Sequence, residues 1–310
     1  MEYVLLGNTG LRVSRLCFGT LTIGPLQKNL GIEEGASLLK SAREAGVTFF
    51  DTAELYGTYP HLKKAFAGDP DVVISTKSYS YDEKGAKESL KKALRGLGRD
   101  RIDIFMLHEQ QSGHTLRGHW GAAEYFLSMK QRGVIRAFGI STHHAGCVLA
   151  AAKIPEIDVI HMIYNIRGLG VADGTRDDME NAVRAAHRAG KGIFAMKPLG
   201  GGHLFKSAKE ALAYAADSPH VHSVAVGMQN ERELAENCAF FSGARDTAFS
   251  EKPGRSVMVH GWCAGCGKCA AACAGGAITI AAGKARVDME RCVFCGYCAA
   301  ACPEFAIKVV

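Results

Sequence analysis

Val72-Val73-Ile74-Ser75-Thr76 is a strand-like run, and Ile102-Asp103-Ile104-Phe105-Met106-Leu107 is another. Between them Ala86, Leu90, Ala93 and Leu97 recur at three- and four-residue gaps, which places them on one face of a helix. Strands this apolar joined by a helix imply a parallel pair buried on both faces. The same alternation continues outward in both directions. Arg15–Ile23 leads to a helix over Glu33–Ala45, with Ile32, Ala36, Leu39 and Ala42 on its inner face. Val47–Phe50 leads to a helix near His61–Phe66. Ile135–Ile140, Val159–Tyr164, Ile193–Met196 and Val224–Val226 supply the later strands. Gly46, Gly133 and Gly190 stand where helices end. Glu2–Leu6 and Leu11–Ser14 flank Gly7-Asn8-Thr9-Gly10 and predict a hairpin ahead of the repeats. Eight such units in residues 1–241 predict an α/β fold, a closed (β/α)₈ TIM barrel. A doubly wound open sheet is the alternative, and it would be unusually wide.

The chain has 310 residues, 47% of them hydrophobic, enough for one large domain and one small one. No apolar run approaches the ~18 residues of a membrane span, and the first residues lack the character of a signal peptide. A cytoplasmic protein is expected, with no membrane partner. The net charge of +6 is spread along the chain, so no basic face suggests nucleic acid. Residues 242–256, with Pro253-Gly254, read as a linker. Residues 257–310 form a second unit with five basic and three acidic residues, too even a balance to steer it strongly to a charged partner.

Eight of the eleven cysteines lie in that second unit. Cys263, Cys266, Cys269 and Cys273 read C-x-x-C-x-x-C-x-x-x-C, and Cys292, Cys295, Cys298 and Cys302 repeat the spacing, with Pro303 after them. Disulfides would suit a secreted mini-protein, and zinc sites need only pairs of C-x-x-C. The doubled three-cysteine row resembles the bacterial ferredoxins that carry two [4Fe–4S] clusters, a small α+β fold. That resemblance implies that the fourth cysteine of each row serves the other cluster. One cluster would take Cys263, Cys266, Cys269 and Cys302, and the other Cys292, Cys295, Cys298 and Cys273. Ala274 departs from the pattern where proline is usual, which removes no ligand. Cys17, Cys147 and Cys238 are expected to be buried apolar residues.

In a barrel of this kind the working residues sit at the C-terminal ends of strands. Those ends carry Asp51 and, five residues on, Tyr56, then Lys77 and His108. Their kind and placement resemble the catalytic tetrad of the aldo-keto reductase family. The opening Leu6-Gly7-Asn8-Thr9-Gly10-Leu11-Arg12-Val13-Ser14 resembles that family's N-terminal hairpin. The chemistry can also be argued directly. A tyrosine, with a pKa near ~10, becomes a usable acid when a cation favours its phenolate. Lys77 is the candidate cation, Asp51 its partner, and His108 the group that aligns the substrate oxygen. An Asp–Lys pair at neighbouring strand ends could equally be a structural ion pair; four such residues in order favour catalysis.

The resemblance also implies nucleotide contacts. Ser141 and Asn165 match positions that meet the nicotinamide amide. Lys197, Leu199, Gly200, Gly201 and Gly202 form a loop whose bare amides could approach a phosphate. In the last loop Gly227, Glu233 and Asn237 align with the adenosine segment. Glu233 would repel a 2′-phosphate, which favours NAD over NADP. Clusters pass single electrons whereas nicotinamide moves a hydride, so a flavin is an alternative cofactor. The expected function is interconversion of a small-molecule carbonyl and alcohol, with electrons relayed through the clusters and an external carrier as a further partner. The alternatives are a flavin- or ferredoxin-fed reductase without nicotinamide, and an electron-transfer or redox-sensing protein whose barrel is inert. His114, Arg117, His119, His143, His144 and Arg167 are expected mostly as solvated loop residues around the mouth.

Overall fold

A computed structural model describes residues 1–250, 256–304 and 306–309. The chain opens with an antiparallel hairpin, β1 (Tyr3–Leu5) and β2 (Arg12–Ser14). Eight parallel strands follow: β3 (Leu16–Gly19), β4 (Phe49–Asp51), β5 (Val73–Ser78), β6 (Ile102–Leu107), β7 (Ile135–Thr142), β8 (Val159–Ile163), β9 (Gly192–Met196) and β10 (Ser223–Val226). β10 pairs with β3, which closes the barrel. Helices Ile32–Glu44, Tyr59–Phe66, Glu83–Leu97, Trp120–Gln131, Ala145–Ala152, Arg176–Arg188, Ala208–Ala216 and Glu231–Phe241 form the outer layer, with one extra turn-length helix at Gly113–Gly118.

Successive side chains of a strand point to opposite faces, and this sorts the two cores. Phe49, Val73, Ile104, Met106, Val159 and Phe194 pack inside the barrel. Phe50, Ile74, Phe105, Ile160 and Ile193 face the helices. Leu6, Leu11 and Val13 of the hairpin join the inner cluster, so the hairpin stops the end where the strands begin. Gly7 permits this seating: at φ +52°, a Cβ there would meet the Gly192 nitrogen at 2.5 Å. Along β4, β5 and β6 the inward positions change from apolar to polar: Phe49 then Asp51, Val73 then Ser75 and Lys77, Met106 then His108.

Two expectations need correction. Ile32 does not face the core; it overhangs at the first helical position, 47% exposed, while Ala36, Leu39 and Ala42 are buried. The run expected as one strand over Arg15–Ile23 ends at Gly19 and becomes a 3₁₀ turn, Thr20–Ile23. Hydroxyls cause the break, since Thr20 Oγ donates to the Asp51 carbonyl and Thr22 Oγ to that of Met228. Cys17, Cys147 and Cys238 are buried, as their apolar surroundings suggested.

The C-terminal module pairs β11 (Val257–Val259) with β14 (Ile307–Val309), and β12 (Ile278–Ala281) with β13 (Lys284–Val287). Its short helices are Lys268–Ala271 and Tyr297–Ala301, and Cys269, Ile278, Ala285, Cys298 and Ile307 form its core. Of the expected linker, residues 251–255 lie outside the described residues. Its earlier part packs back on the barrel, with Phe249 against Phe240 and Ser250 bonded to Glu236.

The module rests on the mouth of the barrel where the strands end. Phe294 stacks on His203 at 4.7 Å, and its carbonyl accepts from Gln27 Nε2 at 3.0 Å. His203 also bonds the Cys292 carbonyl. Gly201, at φ +74°, makes room for Val293, whose carbonyl oxygen would lie 2.2 Å from an added Cβ.

Candidate active site at the barrel mouth

The site is built from the polar tops of the inward columns. Lys77 Nζ donates to both oxygens of Asp51, at 2.8 and 2.7 Å, and to the Thr52 carbonyl at 2.7 Å. Ser75 Oγ donates to the same carboxylate at 2.5 Å. Burial pushes the Asp51 carboxyl up and the Lys77 ammonium down, and each charge draws its partner back. An ammonium has three hydrogens, and all three of Lys77's are engaged.

Lys77 therefore does not donate to the Tyr56 hydroxyl. Its ammonium lies under the Tyr56 ring, 4.9 Å from the centroid. Burial, reinforced by the Asp51 charge, pushes the Tyr56 phenol well above its ordinary value. The candidate cation thus lies beneath the Tyr56 ring rather than against its hydroxyl. Tyr56 is brought to the site by the turn Glu54–Tyr56, which Gly57 ends at φ +68°.

His108 is buried, edge-on to Tyr56 at 5.8 Å and stacked under Tyr79 at 4.6 Å. Burial, with the Lys77 charge second, holds its imidazole well below the usual histidine range and hence neutral. Its Nε2 lies 3.2 Å from the hydroxyl of Tyr297, a residue of the module.

A cavity of about 170 Å³ opens beside this group. Asp51, Tyr56 and His161 line it, together with Lys197, Leu199, Gly201 and Gly202. Gly227, Glu233 and Asn237 also border it, as do Val293, Phe294 and Cys295 of the module. Seven of the ten nucleotide-contact candidates therefore surround one space.

Gly200, Ser141 and Asn165 are not among its lining residues. Gly200 is buried beside Leu169. Ser141 Oγ accepts from the Glu109 amide at 2.9 Å. Asn165 closes its own loop, donating to the Leu169 carbonyl and accepting from the Leu169 amide, both at 2.9 Å. Lys197, at φ +56°, reaches His143 Nε2 at 3.0 Å. Glu233 accepts from Asn230 Nδ2 at 2.6 Å and from the Gln229 amide at 3.0 Å.

Several site residues gave little signal in the sequence. His161 stacks on Phe194 at 3.8 Å, with its Nδ1 3.8 Å from Asp51 Oδ1. Burial, with the Lys77 charge second, keeps it neutral. A polar residue inside the apolar run of β8 was its available sign. Tyr297 and Phe294 also had one: the second cysteine row holds these two aromatic residues where the first has Lys268 and Gly265. His143 is buried rather than solvated, whereas His114 and Arg117 pair at the surface.

The two cysteine sets are also brought together. Cys263, Cys266, Cys269 and Cys302 surround one small cavity in the module. Cys273, Cys292, Cys295 and Cys298 surround a second, which Glu109 and His143 of the barrel also border. The two fourth cysteines are matched in detail, with Cys273 Sγ accepting from the Ala277 amide and Cys302 Sγ from the Ala306 amide, each at 3.2 Å. Four thiols around each void, some with amide donors to sulfur, fit [4Fe–4S] ligation.

The sequence profile of the Aldo/keto reductase family matches residues 15–210, and that of a 4Fe-4S dicluster domain matches residues 262–306. A probable voltage-gated potassium channel subunit beta from Oryza sativa is 26% identical over 303 residues, covering 76% of this chain and 90% of that one. An uncharacterized oxidoreductase from Bacillus subtilis is 29% identical, covering 66% and 68%. Among solved structures, an aldo-keto reductase from Pseudomonas aeruginosa superposes with a TM-score of 0.68 at 26% identity, over 78% of this chain and 95% of that one.

Proposed function

Because the chain belongs to the aldo/keto reductase family and carries a 4Fe-4S dicluster domain, we propose that it interconverts a small-molecule carbonyl and its alcohol, drawing electrons through the module from an external carrier. The observation that carries this reading is Cys295 in the wall of the same cavity that Asp51 and Tyr56 line. Cys273, Cys292, Cys295 and Cys298 would hold an inner cluster, and Cys263, Cys266, Cys269 and Cys302 an outer one. Clusters so bound would supply electrons one at a time, and reduction of the carbonyl would need two of them, paired by a group in the cavity and passed to the carbonyl carbon with a proton as a hydride equivalent.

The remaining work falls to the chain's own groups. Tyr56 holds the proton that the carbonyl oxygen needs, and its high pKa means that only a strongly basic, developing alkoxide can take it. His108, held neutral by burial, would align the same oxygen through a hydrogen bond donated from Nε2 in the tautomer that carries its proton there. Asp51 and Ser75 anchor Lys77, whose charge lies against the Tyr56 ring and favours any negative charge that grows there. Val293, Phe294 and Cys295 of the module form part of the wall of the cavity in which the exchange takes place.

For the cofactor, Glu233 in the lining of the cavity supports NAD over NADP, since a carboxylate there opposes a 2′-phosphate. A second reading, a flavin in the cavity, draws on two observations: Cys295 borders the space, and Ser141 and Asn165 are bonded elsewhere. A flavin converts single electrons into pairs, which nicotinamide does not. Anaerobic assays with NADH, NADPH and reduced ferredoxin over a panel of aldehydes and ketones test the activity. Turnover with any donor that is lost in Tyr56→Phe supports it; inactivity with all donors in iron-replete protein overturns it. Release of flavin on acid treatment decides for the second reading.

A further inference from the structure

The carbonyl reading needs the substrate oxygen to meet two groups, the Tyr56 hydroxyl and His108 Nε2. In this structure an oxygen is already there. The Tyr297 hydroxyl lies 3.2 Å from His108 Nε2, and the Tyr297 side chain packs in one cluster with Tyr56. The Tyr297 ring stands edge-on to His108 at 6.0 Å and 87°, packs with Ala53 and Tyr56, and is 7% exposed. The open cavity touches Asp51 and Tyr56 but not His108. One half of the oxygen seat is thus covered, and a side chain of the module covers it.

We propose that Tyr297 is a specificity-determining residue that the iron–sulfur module lends to the barrel: its hydroxyl holds the substrate-oxygen seat, and a carbonyl binds by taking that place. This rests on the carbonyl reading above. The hydroxyl is a fitting stand-in, because it partners the buried His108 Nε2, a polar atom that burial would otherwise leave without one. Two oxygens cannot share one position, so substrate and hydroxyl compete.

The backbone under Tyr297 has little freedom to retreat. It lies between Cys295 and Cys298, and the same loop is fastened by Val293 in the gap at Gly201 and by Phe294 on His203. Exchange is therefore a side-chain event in a confined space. Slim carbonyls are admitted, and bulky ones are turned away by the phenol ring.

The test compares iron-replete wild type, Tyr297→Phe and Tyr297→Ala under anaerobic conditions. The first readout needs no substrate: diethyl pyrocarbonate labelling of His108, followed by peptide mass spectrometry. His108 should stay unlabelled in wild type and Tyr297→Phe, which keeps the ring, and be labelled at least tenfold faster in Tyr297→Ala. Equal labelling in wild type and Tyr297→Ala overturns the proposal, whether or not any carbonyl is turned over. The second readout is the ratio of KM values for benzaldehyde and propanal. It should fall at least tenfold in Tyr297→Ala with a smaller change in kcat. An unchanged ratio overturns the competition. Absence of turnover with both aldehydes in every protein counts against the carbonyl reading and leaves the labelling result to decide the role of Tyr297. Iron content and melting temperature, measured on each variant, separate loss of fold from loss of cover.

Discussion

Lys77 and Asp51 form a salt bridge with almost no contact with water, at side-chain exposures of 1% and 5%. Removing one partner of such a pair strands the other, at a cost of about 3–5 kcal/mol. Asp51→Asn should therefore lower stability by roughly that amount, read as a shift in denaturant midpoint. Tyr56→Phe removes only a hydroxyl. It should keep the melting temperature and lower kcat by roughly 10²–10⁴-fold, the usual worth of general acid catalysis. His161 makes a pH-dependent prediction. Its folded pKa lies well below 6.5 because of burial, so the unfolded chain binds the proton first. Stability from this residue is complete above about pH 6.5 and declines below it, by about 1.4 kcal/mol per pH unit. His161→Phe should remove that share of the acid slope. Denaturation of both proteins at pH 7.5, 6.5 and 5.5 checks it, and parallel slopes would count against it. That Asp51, Tyr56, Lys77 and His108 come together was legible because strand ends and inward alternation are local patterns. The engagement of all three Lys77 hydrogens was not, because it depends on how Ser75 and the Thr52 carbonyl share Asp51 in three dimensions.

Among the elements, the eight strands and the hairpin were readable from short apolar runs and glycine stops, and β6 has the bounds its sequence suggests. The errors fell where hydroxyls redirected the backbone, as at Thr20 and Thr22. The loop Val293–Tyr297 was the larger omission. Its partners Gly201, His203, Leu26 and His108 lie 89 or more residues away, and no periodicity reports such a contact. The glycine loop also serves a purpose beyond phosphate approach, since Gly201 must lack a side chain for Val293 to seat. Gly201→Ala, at φ +74° and with the Val293 carbonyl in the way, should weaken the docking by at least ~1 kcal/mol. Hydrogen exchange at residues 292–297 should then rise several-fold while the amides of β5 and β6 stay protected. Unchanged exchange there would show that the loop does not depend on Gly201.

Across the molecule, the two cysteine cavities face different surroundings. The inner one borders Glu109 and His143 of the barrel. The outer one includes the exposed Cys266, and the exposed Trp262 and Ile280 lie near it. Cys266→Ala and Cys295→Ala should each remove about half the iron, one cluster of two. Only Cys295→Ala should also lower the melting temperature of the barrel, because its loop is seated there. Iron analysis with calorimetry checks both, and equal melting temperatures would mean that the inner site gives the barrel no support. The crossed assignment of the fourth cysteines has a longer reach. Each row lends its last thiol to the cavity of the other, so neither half of the module is a complete unit. A truncation that sheds one row takes a ligand from both, and a gene cannot discard one centre by deletion while keeping its neighbour whole. The pair is interlocked like two links of a chain, to be inherited together or given up together.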